Sequence, residues 1–297
     1  MNMPMVSIII PCYNCAAFID RAITSVLKQD IKDIELILVD NNSTDQTFAV
    51  MRDYQAKHPD LIRIYQELKK GAPAARNYGL KYAKGEWIQF LDADDELLPE
   101  KIQQQLNLAL AANADVVAGD CLLKYDNGKT EITRYTDQNI WRGLINSKLG
   151  ITSSNLWRAT ALRAVNGWDE ALTSSQEYDL LFRLIKNKAV VITDKSINTI
   201  VHFSNNSVSK STDLTKLKQI LNNRVNLRLQ IKNELRYRSQ LTPALKSTID
   251  LYIYTEIMSF QYLFPEYVNS LLQVHQPKVA LYHKVKIKAR QYVKQLK

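Results

Sequence analysis

The chain has 297 residues, 46% of them apolar and 23% charged, the proportions of a soluble globular protein, which exclude disordered, collagen-like and coiled-coil organisation. That length suits one large domain or two modest ones, with enough chain to bury a core without disulfide staples. The formal charge is +9 and uneven: from Ser209 onward 89 residues carry a surplus of +11, while the 208 before them carry −2, so a basic C-terminal third requires a negatively charged partner.

In chain order, Val6-Ser-Ile-Ile-Ile10 is a β-branched run suited to a strand buried on both faces, ending at Pro11. Ile19, Ile23, Val26 and Leu27 then share one helix face. A strand over Ile34 to Val39 leads into Asp40-Asn-Asn-Ser-Thr-Asp45, suited to a turn and helix cap. A helix through Phe48, Met51 and Tyr54 precedes a strand from Leu61 to Tyr65, and another helix starts near Ala74. Trp87 to Leu91 reads as a strand ending in Asp92-Ala-Asp-Asp95; Ile102, Leu106, Ala109 and Leu110 mark a helix, and Asp115 to Gly119 a strand. Repeated βαβ units predict a parallel sheet flanked by helices, with ligands beyond the carboxyl ends of its strands.

After Gly119 the pattern is irregular. Asp126-Asn-Gly128 reads as a hairpin turn between Leu122–Tyr125 and Thr130–Tyr135. A helix through Leu181, Leu184 and Ile185 precedes a strand at Ala189 to Thr193. From about Thr215 the chain reads as helical to Lys297, with breaks near Pro243, Pro265 and Pro277. The expected organisation is a body over 1–208 and a helical extension over 209–297.

Three cysteines, Cys12, Cys15 and Cys121, do not describe a disulfide framework, so a reducing, cytoplasmic setting is expected. The first residues lack the positive region of a secretory signal. The longest aromatic-apolar stretch, Leu251 to Phe264, is 14 residues long and contains Glu256, too short to span a bilayer. Cys12-Tyr-Asn-Cys15 fits a redox C-x-x-C on spacing alone but leaves the acidic block unexplained. Gly128-Lys-Thr130 ends like a phosphate-binding loop, but Leu123 stands where its first glycine belongs.

Asp92 and Asp94, two apart at a strand end, send both carboxylates to one side. Such a pair can cap a helix, but hard dications also take one or two carboxylates plus waters and phosphates. Asp40, Arg76 and Asp92 to Asp94 all fall just past strands or at helix starts, converging on one edge.

Over roughly residues 5 to 209 the sequence resembles the family 2 glycosyltransferases, nucleotide-sugar-dependent enzymes of the GT-A fold. The resemblance is carried by Val6 to Asn14, Leu38 to Asp45, Gly71 to Gly79, Lys84 to Asp95, Asn166-Gly-Trp-Asp-Glu170, and Ser175-Gln-Glu-Tyr-Asp-Leu180 with Arg183. It implies an α/β fold with a mostly parallel, Rossmann-like sheet. It also implies nucleotide-sugar contacts at Pro11, Tyr13, Asn14, Asp40, Asn42, Arg76, Asn77, Asp92 and Ala93, and Mn²⁺ or Mg²⁺ on Asp94 and Asp92. His202, in a segment running to Ser209 that resembles one closing on the diphosphate, joins the metal set.

Many members have Glu-Asp where this chain has Gln176-Glu177, the second residue being the general base. Glu177 takes that role one methylene longer, and Asp179 is the competing candidate. The implied activity is inverting transfer of a sugar to a hydroxyl of a glycan or lipid-linked acceptor in cell-surface polysaccharide biosynthesis. The alternative is an inactive scaffold that binds nucleotide-sugar or membrane.

Pro277 to Lys297, placed on a helix, gathers Tyr282, Val285, Ala289, Tyr292, Val293 and Leu296 into one stripe of about 100°. Lys284, Lys286, Lys288, Arg290, Lys294 and Lys297 fall outside it, and the segment has no acid. That composition suits a helix lying on an anionic membrane, here the inner face of the cell membrane, or one contacting another copy of the chain. No aromatic interleaving of a nucleic-acid-binding type accompanies these charges, so nucleic acid is not the expected partner.

Overall fold

A computed structural model describes residues 4–133, 139–203 and 213–295, with side chains to residue 290. In chain order the elements are β1 (Val6–Cys12), α1 (Ile19–Leu27), β2 (Ile34–Asp40), α2 (Thr47–Lys57), β3 (Ile62–Gln66), α3 (Ala72–Tyr82) and β4 (Trp87–Phe90). There follow β5 (Glu96–Leu97), α4 (Lys101–Ala111), β6 (Val116–Tyr125), β7 (Thr130–Thr133), α5 (Ile140–Ile145), β8 (Leu156–Arg158), α6 (Ala159–Ala164), α7 (Gln176–Lys186) and β9 (Val191–Phe203). Four helices complete the chain: α8 (Leu214–Tyr237), α9 (Pro243–Ser259), α10 (Pro265–His275) and α11 (Leu281–Gln295). Two compact units emerge, Met1–Thr136 with Lys148–Lys210, and Asp137–Ser147 with Ser211–Lys297. The expected boundary at residue 208 lies outside the described residues.

The first unit is a sheet ordered β3-β2-β1-β4-β8-β6-β9-β5, with β7 on β6. β3, β2, β1 and β4 are parallel, as the βαβ pattern predicts; β8 enters antiparallel to both β4 and β6, and β6 and β9 run parallel. Val6, Ile8 and Ile10 are fully buried against Ile19, Ile23 and Val26 of α1, which is why the β-branched run forms a central strand.

β1 continues through Pro11 to Cys12 rather than ending before the proline. Leu91 N–H donates to Ile9 and Asn41 N–H to Cys12, so odd positions of β1 face β4. Pairing with β4 ends at Ile9, so the N–H that Pro11 lacks would have had no strand partner. Cys12 and Cys15 are buried, unlike the accessible thiolate of a redox motif. The predicted hairpin is present between β6 and β7, with Arg134 and Tyr135 outside the described residues. β9 is much longer than the predicted strand, because a bulge between Gly119 and Asp120 lets it follow β6 past Asp194 to Phe203.

In the second unit α9 packs against α5, α8, α10 and α11. Ile231 and Leu235 of α8 and Ile249, Ile253 and Ile257 of α9 are buried. Pro243 and Pro265 open helices, where a missing N–H costs nothing. Arg228 is fully buried, its guanidinium 3.8 Å from the Tyr252 ring and its Nε donating to the Ile145 carbonyl at 3.0 Å. Lys232 pairs with the buried Asp250 at 2.6 Å. Tyr282, Val285 and Ala289 of the α11 stripe are exposed, as is Leu281 beside it; the side chains of Tyr292, Val293 and Leu296 lie outside those described.

Candidate active site

The loops after β1 and β2 interlock. Asn14 and Asn42 adopt positive φ, 46° and 66°, a region asparagine tolerates better than most residues. Asn14 Oδ1 accepts the Thr44 N–H at 2.8 Å, and its own N–H donates to Ser43 Oγ at 3.1 Å. Asp40, buried at the end of β2, accepts the Ser43 N–H at 3.4 Å. Asn42 Nδ2 donates to the Glu67 and Leu68 carbonyls, each at 3.1 Å. Asn41 binds the same crossing loop through Glu67, Lys69 and Gly71, each at 2.8 Å, a role no sequence pattern signals. Tyr13 projects to solvent, while Pro11 is half-buried.

Arg76 occupies the centre of this edge. Buried in α3, it pairs with Asp92 at 2.7 Å, donates to Gln176 Oε1 at 3.3 Å and lies 4.6 Å from the Trp168 ring. It therefore joins the acidic loop to the start of α7, two segments far apart in sequence. Asn77, expected at the nucleotide, has both ends of its amide engaged: Oδ1 accepts the Trp168 N–H at 2.8 Å, and Nδ2 donates to Trp168 O at 2.9 Å and Glu170 Oε1 at 2.7 Å. Gly167 there has φ +63°, and a Cβ would lie 2.4 Å from Asn77 Oδ1, so glycine is needed. Lys69 pairs with Glu170 at 2.6 Å.

The acids at the end of β4 differ in environment. Asp94 is solvent-exposed, yet surrounding protein and the nearby Asp92 push its carboxyl upward. Arg21 donates to the Asp94 carbonyl. Ala93 is buried between the two acids. Asp95 points into the core; burial, then Asp92 and Asp94, raise it well above the usual carboxylate range. Its Oδ2 accepts from Ser153 Oγ at 2.5 Å. His202 on β9 lies 3.3 Å from Glu96 of β5 through Nε2; burial and Arg21 lower it, against the pull of Glu96. Ser204 to Ser209 of its segment lie outside the described residues.

On α7, Glu177 and Asp179 fall in the first turn. Asp179 pairs with Arg183 at 2.7 Å, and Arg183 also donates to the Val165 and Gly167 carbonyls at 2.7 Å. Asp179 is thus part of the brace under the Gly-Trp-Asp-Glu segment, and its carboxyl is raised by burial despite that cation. Glu177 is half-buried beside Gln176, the residue that meets Arg76.

Among the described residues no three His, Cys, Asp or Glu side chains are grouped to enclose a metal. The donor set nevertheless fits a hard dication that keeps most of its shell for waters and phosphates. Asp94 offers an accessible carboxylate, raised first by the surrounding protein and then by Asp92, a repulsion a cation would relieve.

The family model for Glycosyl transferase family 2 matches residues 7–166, and the chain belongs to that family. Over 124 residues it is 39% identical to the GalNAc(5)-diNAcBac-PP-undecaprenol beta-1,3-glucosyltransferase of Campylobacter jejuni, covering 41% of this chain and 40% of that protein. The chain spans less than half the length of the curated relatives it matches first. Its fold resembles that of S. aureus TarS 1-349 in complex with UDP-GlcNAc, with TM-score 0.64 and 18% identity over 90% of this chain and 83% of that one. It also resembles the mannosyltransferase PcManGT of Pyrobaculum calidifontis in complex with GDP-Man and Mn²⁺, with TM-score 0.63 and 17% identity over 99% and 81%. The chain is thus a member of a glycosyltransferase family, and its sheet and helices have the GT-A arrangement.

Proposed function

We propose that residues 1–208 transfer a sugar, with inversion, from a nucleoside-diphosphate sugar to a hydroxyl of a glycan or lipid-linked acceptor in surface-polysaccharide assembly. The observation that carries this reading is Arg76, bonded to Asp92 on one side and to Gln176 on the other, which brings the acidic loop beside the start of α7. The interlocked loops carrying Pro11, Tyr13, Asn14, Asp40 and Asn42 form the nucleotide side of the site, with Arg76, Asn77, Asp92 and Ala93 beside the diphosphate.

Glu177 takes the proton of the acceptor hydroxyl as its oxygen attacks the anomeric carbon and the bond to the diphosphate breaks. Asp179 is held by Arg183 as a brace, which favours Glu177 as the base. Direct attack with one carboxylate base and no enzyme nucleophile inverts the anomeric centre. Asp94, Asp92 and His202 are the residues that would hold Mn²⁺ or Mg²⁺, which when bound supplies Lewis-acid stabilisation of the leaving diphosphate.

Similarity to a transferase named for an undecaprenol-linked substrate supports a lipid-linked acceptor. Among the described residues no helix is long and apolar enough to cross a membrane. Residues 209–297 are then the part that rests on the anionic inner face of the cell membrane through α11. The other occupant of that helix face, a second copy of the chain, would appear as concentration-dependent mass in solution. The test is release of nucleoside diphosphate and sugar transfer from a panel of nucleotide-sugars with Mn²⁺. Turnover of one donor supports the reading; binding without turnover of any donor, with or without glycan acceptors, leaves a non-catalytic scaffold.

A further inference from the structure

We propose that Ser153 is a positioning residue that holds the acidic loop in the shape its metal and diphosphate chemistry requires; this rests on the donor-site reading above. Ser153 lies in a short 3₁₀ turn, Thr152–Ser154, just before β8, and is fully buried. Its hydroxyl donates to Asp95 Oδ2 at 2.5 Å and accepts the Asp92 N–H at 3.1 Å. The Asp95 N–H in turn donates to the Asp92 carbonyl at 3.0 Å. One oxygen therefore closes a ring around residues 92 to 95, using both its donor and an acceptor lone pair.

The turn itself is braced. The Ser153 carbonyl accepts Gln89 Nε2 at 2.9 Å, and the neighbouring Ser154 hydroxyl donates to the Gly119 carbonyl at 2.8 Å. Gln89 is a buried residue of β4 and also takes a bond from the buried Lys101. The position of Asp92 and Asp94 is thus referred to the sheet through a side chain sixty residues later in the chain. Asp95, the third acid of the block, is the anchor of that loop and faces away from solvent.

Ser154 supplies an internal control. It is equally buried, and its hydroxyl accepts the Ile151 N–H and donates toward Gly119 O, Ile151 O and Asn155 Oδ1, none of which lies in the acidic loop. The experiment compares Ser153→Ala, Ser154→Ala and the unmodified full chain. Mn²⁺ affinity is followed by electron paramagnetic resonance with UDP and, separately, GDP, beside thermal melting and steady-state kinetics. Both variants should lose similar stability. Ser153→Ala alone should weaken Mn²⁺–nucleotide binding by roughly 10–100-fold, the usual loss when a ligand's supporting hydrogen bond is removed, and Asp95→Asn, which keeps an acceptor for Ser153, should lose less. Equal changes in Mn²⁺ affinity for the two serine variants, or none for Ser153→Ala, would overturn the positioning role. Failure of the unmodified chain to bind Mn²⁺ with either nucleotide would overturn the donor-site reading and the inference with it.

Discussion

In the sheet-containing unit three acidic side chains each meet a defined donor: Asp92 has Arg76, Asp95 has Ser153 and Asp179 has Arg183. In the helical unit the basic side chains at positions 286, 288 and 290 of α11 lie exposed along a helix whose Leu281, Tyr282 and Val285 are also exposed. The first arrangement fixes charge at defined atoms, which chemistry on a bound diphosphate needs. The second spreads charge over a surface, which acts through its summed field and tolerates loss of any one member. Single substitutions should therefore be severe in the first unit and mild on α11, and four measurements sharpen or break that contrast.

The largest effect is expected at Asp94. Asp94→Ala should remove turnover by roughly 10⁴-fold or more, because Lewis-acid stabilisation contributes several kcal/mol to such reactions. Unchanged melting with lost nucleotide release would bear this out, and full activity of the variant in excess chelator would sink it. Glu177→Gln should retain donor binding and lose about 10²–10⁴-fold in kcat, the range of general base catalysis. A larger loss from Asp179→Asn would move the base to the residue here described as a brace.

Lys101 tests how rigidly the first unit fixes charge. It is fully buried, and burial lowers its ammonium to about 7, with Asp194 pulling the other way. Its folded value lies below the unfolded one of 10.5, so between those limits the unfolded chain binds more protons. Stability should then rise with pH above 7, by up to about 1.4 kcal/mol per unit, and the penalty is fully present below 7. Lys101→Met should flatten that slope; denaturant melts of both proteins at pH 7 and 9 give the comparison, and identical slopes would refute it.

The smallest effect belongs to α11. Lys286→Gln should weaken binding to anionic vesicles only about fivefold, since one lysine near such a surface is worth ~1 kcal/mol, and should leave donor hydrolysis unchanged. Raising salt from about 0.1 M to 1 M, which shrinks the Debye length from roughly 10 to 3 Å, should release the protein. Salt-independent binding would show that α11 does not act through its field.

The parallel half of the sheet was legible because its signals are local. Val6 to Ile10 must be buried on both faces, Ile19, Ile23 and Val26 share a helix face, and Asp40 and Asp92 stand where strands end. The breaks read at Pro243 and Pro265 fall where two helices open, and the apolar stripe of α11 with basic residues around it needs only its own spacing to be seen. β5 and β8, of two and three residues, are too short to carry a period and exist through pairing with β9, β4 and β6. The same holds for chemistry. Asp92, Asp94 and Asp95 are equivalent as letters in a row; the fold makes the first an ion-pair partner, leaves the second accessible and buries the third on a serine contributed by a later turn. The resemblance ranked Glu177 above Asp179 as the base, and only the fold shows that Asp179 pairs with Arg183. Sequence pattern determines which residues can form an element or carry a charge, because backbone geometry and side-chain type act over a few positions. Which partner each charge meets, and so how it ionises, is decided by segments that the tertiary fold brings from as far as a hundred residues away.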